Sequence, residues 1–268
     1  MTGEEAARLL ADRIAPLANP ARPPVIGLNG AQGSGKSTMA RETCAALRDN
    51  HGMTQVTLSL DDFYLPKQER QTLAREIHPL CATRGVPGTH DVALLQETLD
   101  SLLTAGPEDL TALPGFDKLA DDRNPATQWR SFVGRPDIII FEGWCTGVRE
   151  SDLPEWTGPI NDLERKRDLK GAWFAWSHRA LAAYEPVWNM FGLLISIEVP
   201  DMETVVESRM RQEQGLKSTS GRPAMDRAAV EQFVQHYERY TLAIWAAMPD
   251  RADILLRRDK AFNFSVVV

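Results

Sequence analysis

Residues 30–38 read GAQGSGKST and fit the pattern G-x-x-x-x-G-K-[ST], with Gly30, Gly35, Lys36 and Ser37 at its fixed places. The spacing states a chemistry. Glycines let the backbone curl until successive N–H groups point inward, and such a nest of amides binds phosphate oxygens. A helix starting near Lys36 adds the positive end of its dipole. Lys36 supplies a point charge for β- and γ-phosphates, and the Ser37 hydroxyl is a ligand for Mg²⁺. Glycine-rich turns also occur without nucleotides; the Lys-Ser pair, with a strand before and a helix after, is what points to phosphate here. Gly30, Ala31, Gln32, Gly33, Ser34, Gly35, Lys36, Ser37 and Thr38 are therefore expected to cradle ATP.

Two acidic positions suit the same chemistry. Glu142 follows the apolar run Ile138-Ile139-Ile140-Phe141, so it emerges at the carboxyl end of a buried strand, where open α/β sheets bind ligands. It is assigned to the Mg²⁺ shell, directly or through water. Asp61 opens Asp61-Asp62-Phe63-Tyr64 at the end of a second strand, and a carboxylate there can accept the proton of an attacking hydroxyl. Asp62 could serve instead, or either residue could merely hold a turn. Phe63 and Tyr64 read as packing residues. Guanine recognition is not expected, since no N-K-x-D occurs and the two D-x-x-G matches, at 49–52 and 168–171, fall in helical stretches.

These residues need elements to hold them. Apolar runs at Val25–Leu28, Gln55–Leu60, Asp137–Phe141, Leu193–Val199 and Ala252–Leu256 read as strands, and Leu110–Phe116 as an edge strand because it contains Pro114. Helical periodicity covers Ser37–Asn50, Lys67–Ile77, Val92–Leu103, Asn161–Met190, Met202–Gln214 and Asp226–Met248. Gly215–Pro223 reads as a polar loop. Strands alternating with helices imply an α/β fold, a parallel sheet with helices on both faces, of the P-loop NTPase kind. Residues 1–268 are expected to form a single kinase domain, with acceptor-side insertions at about 65–130 and a small mobile lid at about 209–223. Phe233, Tyr237, Tyr240 and Ile244 make a core stripe at helical spacing. Trp173, Trp176 and Trp188 read as packing, or as a wall for an acceptor or adenine.

The composition narrows the class. A formal charge of −7 argues against non-specific nucleic-acid binding, which needs a cationic surplus. Any anionic substrate must then meet a local cluster of cations. Cys44, Cys81 and Cys145 show no metal or disulfide spacing and read as free thiols. The N-terminus reads as a short amphipathic helix rather than a signal peptide, and no run of 18 apolar residues occurs, so no membrane contact is expected and the cytoplasm is the default compartment.

Taken in order, the P-loop, LSLDDFYLP, RGVPGTHD, PGFDK, IIIFEGWC and the basic segment after the strand at 193–199 resemble the D-glycerate 3-kinase family, within the wider phosphoribulokinase, uridine kinase and pantothenate kinase group. The resemblance implies an ATP-dependent, Mg²⁺-requiring kinase that phosphorylates a small alcohol, with D-glycerate the expected acceptor. It implies Asp61 as base, Arg84, His90 and Asp91 near the acceptor, and Asp117 and Lys118 on the same side. It implies a lid carrying Arg209, Arg211 and Lys217. The stretch after Lys118 departs from the family pattern: it reads LADDRNPATQW, and Arg123 is its only cation before Arg130. Elementary chemistry supports the acceptor side, because an arginine fork matches a carboxylate and Arg84 sits in a loop defined by Gly and Pro. Lys118 and Arg123 are further candidates for that carboxylate. The alternatives are a kinase of the same group acting on a pantothenate-, nucleoside- or sugar-like alcohol, and a regulator that hydrolyses ATP slowly.

Overall fold

The computed structural model describes residues 1–220 and 225–267, with side chains for all of these except 216–220. In chain order the first half contains α1 (Gly3–Ile14), β1 (Val25–Gly30), α2 (Lys36–His51), β2 (Gln55–Ser59), α3 (Lys67–Glu76), α4 (Val92–Thr104), β3 (Leu110–Leu113), β4 (Phe116–Asp117), β5 (Asp122–Arg123) and β6 (Arg130–Val133). The second half contains β7 (Ile138–Gly143), α5 (Asp162–Arg167), α6 (Ala172–Ala180), α7 (Glu185–Trp188), β8 (Phe191–Glu198), α8 (Met202–Ser220), α9 (Arg227–Val234), α10 (Glu238–Arg251), β9 (Ile254–Arg258) and β10 (Phe264–Val266).

The two strands with unbroken apolar runs, β1 and β7, are buried along their whole length and sit in the middle of a six-stranded sheet ordered β10-β9-β8-β1-β7-β2. Five strands run parallel and β10 closes the edge antiparallel to β9. Alternate side chains feed two cores. Ile26, Leu28, Ile138 and Ile140 pack with Leu10, Ile14, Met39 and Leu47 of α1 and α2 on one face. Val25, Ile139 and Phe141 join Leu95, Leu99, Trp144, Trp188 and Tyr240 on the other. Helices on both faces and parallel strands give the expected P-loop fold. Among the described residues no helix is long and apolar enough to cross a membrane.

Several local expectations change. The helical stretch 161–190 is three helices, because Gly171 takes a left-handed conformation at φ 72° and Pro186 starts a new turn. The stretch 226–248 breaks at 235–237 into α9 and α10. In place of one edge strand at 110–116, Leu110–Leu113 pairs with Arg130–Val133 and Phe116–Asp117 pairs with Asp122–Arg123. Helix α8 continues through Gly215 to Ser220, where a loop was predicted. Of the expected lid, residues 221–224 and the side chain of Lys217 lie outside the described residues. Strand β10 had no counterpart in the sequence reading, since three residues are too few to show a period.

Candidate active site

The phosphate-loop residues occupy the turn between β1 and α2. Gly35 precedes α2 with φ 94°, so Lys36 and Ser37 open the helix with their amides unpaired by the previous turn. Gly33 has φ 73°, and a Cβ there would lie 2.5 Å from the Ser208 Cβ of α8. Glycine at 33 thus serves both a left-handed turn and the close approach of α8. The amide of Ser34 donates to the carbonyl of Ala31 at 3.1 Å, which sets the curl.

Below this turn β7 carries Glu142 as its penultimate residue. Its register beside β1 matches Leu28 to Glu142, one strand away from the loop. The Ser37 hydroxyl donates to Glu142 Oε1 at 2.8 Å. Glu142 is 5% exposed, and its second oxygen, Oε2, is buried with no hydrogen-bond partner.

Asp61 lies past the end of β2, the neighbour of β7, and therefore on the same sheet edge. Its carboxylate accepts from Lys118 Nζ at 2.5 Å. Burial pushes the Asp61 carboxyl up, but the ammonium groups of Lys118 and Lys36 outweigh it and hold the group down at about 2. Asp62 differs although it is the next residue. Burial pushes it up to about 6, the Asp61 charge adding to that rise against the amide of Phe116, which donates to Asp62 Oδ1 at 3.3 Å.

A cleft of about 560 Å³ joins the phosphate loop to Asp61 and Lys118. Gln32, Gly33, Lys36 and Ser37 line one side; Asp61, Tyr64, Arg84, Lys118 and Asp121 line the other. Arg209, Gln212 and Glu213 of α8 reach in, with Trp144, Phe233 and Tyr237 forming an aromatic floor. Arg209 is paired with Glu213 and lies 5.1 Å over the Phe233 ring.

The 84–91 loop is fastened to the core at several points. The Trp144 indole donates to the Gly85 carbonyl at 3.1 Å, and the Tyr237 hydroxyl donates to the Arg84 carbonyl at 3.0 Å. A Cβ at Gly85 would meet the Tyr237 ring at 2.6 Å. Arg84 is therefore carried on a segment with little freedom. Its guanidinium pairs with Asp121 and stands 5.4 Å over the Phe116 ring.

Of the predicted site residues, Glu142 and the phosphate-loop residues Gly30, Ala31, Ser34, Gly35 and Thr38 do not line this cleft, and neither do Arg123, Asp91, His90 and Arg211. Arg123 spends its fork on the Tyr64 carbonyl, at 3.2 and 3.0 Å, and on Asp91 at 3.0 Å. Asp91 caps α4 by accepting from the Leu94 amide at 3.0 Å. His90 is buried, stacked on Tyr64 with ring centroids 4.4 Å apart and bonded through Nδ1 to the Tyr184 hydroxyl at 2.7 Å. Burial pushes its imidazole down to about 3. Arg211 turns away, over the Phe262 ring at 5.2 Å. Arg123, Asp91 and His90 brace the Asp61–Arg84 side of the cleft from behind. Asp117, expected near the acceptor, accepts from the amides of Leu119 and Ala120 at 2.7 and 3.0 Å and so shapes the turn that carries Lys118.

The sequence reading missed Asp121, Glu213 and the cleft-facing sides of Tyr64, Phe233 and Tyr237. Phe233 and Tyr237 were predicted as core alone; helical spacing names a packed face but not the gap that face borders. A signal for Asp121 did exist in the Ala-Asp-Asp-Arg run, where an Asp suits a left-handed turn. Trp173 and Trp188 are buried in the core and Trp176 packs against it, which settles them as packing residues.

No protein-family model matches the chain. The uncharacterized kinase mug58 of Schizosaccharomyces pombe is 33% identical over 224 residues, 81% of this chain and 79% of that protein. The chloroplastic D-glycerate 3-kinase of Arabidopsis thaliana is 28% identical over 246 residues, 86% of this chain but 50% of the plant protein, so the chain spans about half that relative's length. The solved structure of the YGR205w protein superposes with a TM-score of 0.77 at 26% identity, covering 100% of this chain and 98% of that one. P-loop, acidic sheet edge, fold and relatives agree on a phosphotransferase that uses ATP and a small-molecule substrate. The chain belongs to the same kinase family as mug58 and has the P-loop kinase fold.

Proposed function

We propose that this cleft moves the γ-phosphoryl group of MgATP to a hydroxyl of D-glycerate. The carrying observation is that Lys36 of the phosphate loop and Asp61, with Arg84 and Lys118 beside it, line one cleft. The similarity to a protein named D-glycerate 3-kinase supports the acceptor. In this reading the amides of 30–38 and the Lys36 ammonium hold the triphosphate.

The residues fit a hard divalent cation. Among the described residues no three His, Cys, Asp or Glu side chains gather into a cage. Mg²⁺ does not require one, because it keeps waters and takes substrate phosphates beside one or two protein oxygens. Ser37 Oγ and the unpartnered, buried Oε2 of Glu142 are such oxygens. Bound there, the ion would neutralise charge on the β- and γ-phosphates.

Asp61 is assigned to the acceptor hydroxyl in preference to Asp62, because Asp62 is tied to the Phe116 amide and does not line the cleft. Held down at about 2, the Asp61 carboxyl is ionised at neutral pH and ready to accept. So acidic a group is a weak base, which suits a loose phosphoryl transfer where orienting the hydroxyl matters more than early proton removal. Arg84 takes the acceptor carboxylate, with Lys118 moving from Asp61 toward it. Arg209 brings a further cation to the transferring group.

A panel of D-glycerate, glycerol, pantothenate, a ribonucleoside and no acceptor, read as ADP release, tests the proposal. D-glycerate should raise turnover at least tenfold above the rest. Equal ADP release with and without every acceptor would instead mark a slow ATPase.

A further inference from the structure

Asp121 is the one cleft-lining residue outside glycine with a left-handed backbone, at φ 56° among the described residues. A side chain other than Gly, Asn or Asp rarely rests there, and such conformations persist where the surroundings enforce them. The enforcing group is Arg70. It is 0% exposed, and its fork is spent on three carbonyls: Leu65 at 3.1 Å, Ala82 at 2.8 Å and Asp121 at 2.6 Å. The same guanidinium stands 3.1 Å from Asp121 Oδ2, while Asp121 Oδ1 takes Arg84. The Phe116 ring lies beneath both guanidinium groups, 5.8 and 5.4 Å away. Asp121 thus bridges a buried arginine and a cleft arginine over one aromatic face.

The charges of this cluster do not cancel. Two arginines stand against one aspartate, and the neighbouring Lys118–Asp61 pair is already neutral. One positive charge remains on the Arg70–Asp121–Arg84 cluster. Without Asp121 it would be two. From this we infer that Asp121 is a specificity-determining residue that matches the acceptor wall to a single negative charge, and that Arg70 is the positioning residue that holds it there. The inference rests on the proposed hydroxy-acid acceptor and adds its charge class: a hydroxy monocarboxylate is accepted, and a hydroxy dicarboxylate is refused by the Asp121 carboxylate beside it. Refusal by a repulsive neighbour is the usual way a site rejects a ligand that it could otherwise reach.

Asp121→Asn is the informative change, because Asn keeps the size, tolerates the left-handed backbone and removes only the charge. The full chain is assayed by ADP release with D-glycerate, tartronate and glycerol. The variant should raise the tartronate-to-glycerate ratio of kcat/KM by on the order of tenfold or more, the scale of one charge removed at a partly screened site. KM for ATP should stay within about twofold, a split that a general loss of structure would not produce. An unchanged ratio in a variant with wild-type melting overturns the inference and leaves the hydroxy-acid reading standing. Wild-type protein that phosphorylates glycerol but neither acid overturns both. In the wild type itself, propionate should compete with the acceptor roughly tenfold more tightly than malonate. Equal or reversed inhibition overturns the inference even where the variant fails to fold.

Discussion

The two sides of the cleft hold their charges by different means. On the phosphate side the grip is main chain: a turn of nine consecutive residues, two left-handed glycines and the start of α2. On the acceptor side it is side chain against side chain: Lys118 on Asp61, Arg84 on Asp121, with Arg70 behind. A main-chain nest suits a phosphate whatever it is attached to, since amides at a helix start bind any phosphate. Ion pairs suit the reading of one particular ligand, because exchanging one partner changes the charge presented without moving the backbone. The acceptor wall is also the side with the more elaborate bracing. His90, Asp91 and Arg123 all tie it from behind.

The largest effect should come from the phosphate side. Lys36→Met removes the one loop cation and should lower kcat on the order of a thousandfold, seen in single-turnover assays at saturating ATP. On the acceptor side, Asp61→Asn should lower acceptor phosphorylation on the order of a hundredfold or more, with ATP binding by calorimetry within a few-fold. Intact turnover in that variant would return the role to Asp62 or to no side chain. Arg84→Gln should raise the acceptor KM by roughly ten- to a hundredfold and leave the ATP KM nearly alone, the scale of one charge-assisted hydrogen-bonded pair. If it disturbs both substrates equally, the division between the two sides is wrong.

The smallest effect concerns the bracing. His90 has its imidazole pushed down by burial to about 3, so the folded state binds fewer protons than the unfolded one between that value and the usual 6.5. The stability it contributes is complete above pH 6.5 and is lost as pH falls toward 3. Wild-type protein should therefore lose about 1.4 kcal/mol more per pH unit than His90→Gln between pH 6 and 4, measured by denaturant unfolding. Asp62 works in the opposite sense. Its carboxyl is raised to about 6, so the folded state gains stability as pH falls from 6 toward 4. The difference between wild type and His90→Gln isolates the histidine from this opposing slope.

What the chain determined without its tertiary structure was what is local or periodic. The GAQGSGKST turn needs only its own glycines, the next helix and the strand before it, so its residues and its chemistry could be named from nine letters. The apolar runs of β1 and β7 named buried strands, and strand ends put Asp61 and Glu142 at the carboxyl edge of the sheet; that β2 lies beside β7 came only from the sheet order. Tertiary structure decided the acceptor wall. Whether an arginine faces a cleft or a carbonyl depends on partners 30 to 60 residues away: Arg84 meets Asp121, Arg123 meets Tyr64 and Asp91, and Lys118 meets Asp61. No spacing rule encodes such pairings, because a long cation reaches whichever oxygen the fold brings within about 3 Å of it. The same reason hid Arg70, a charged residue in a polar helix whose burial arises only when the 79–82 turn and the 121 turn close over it.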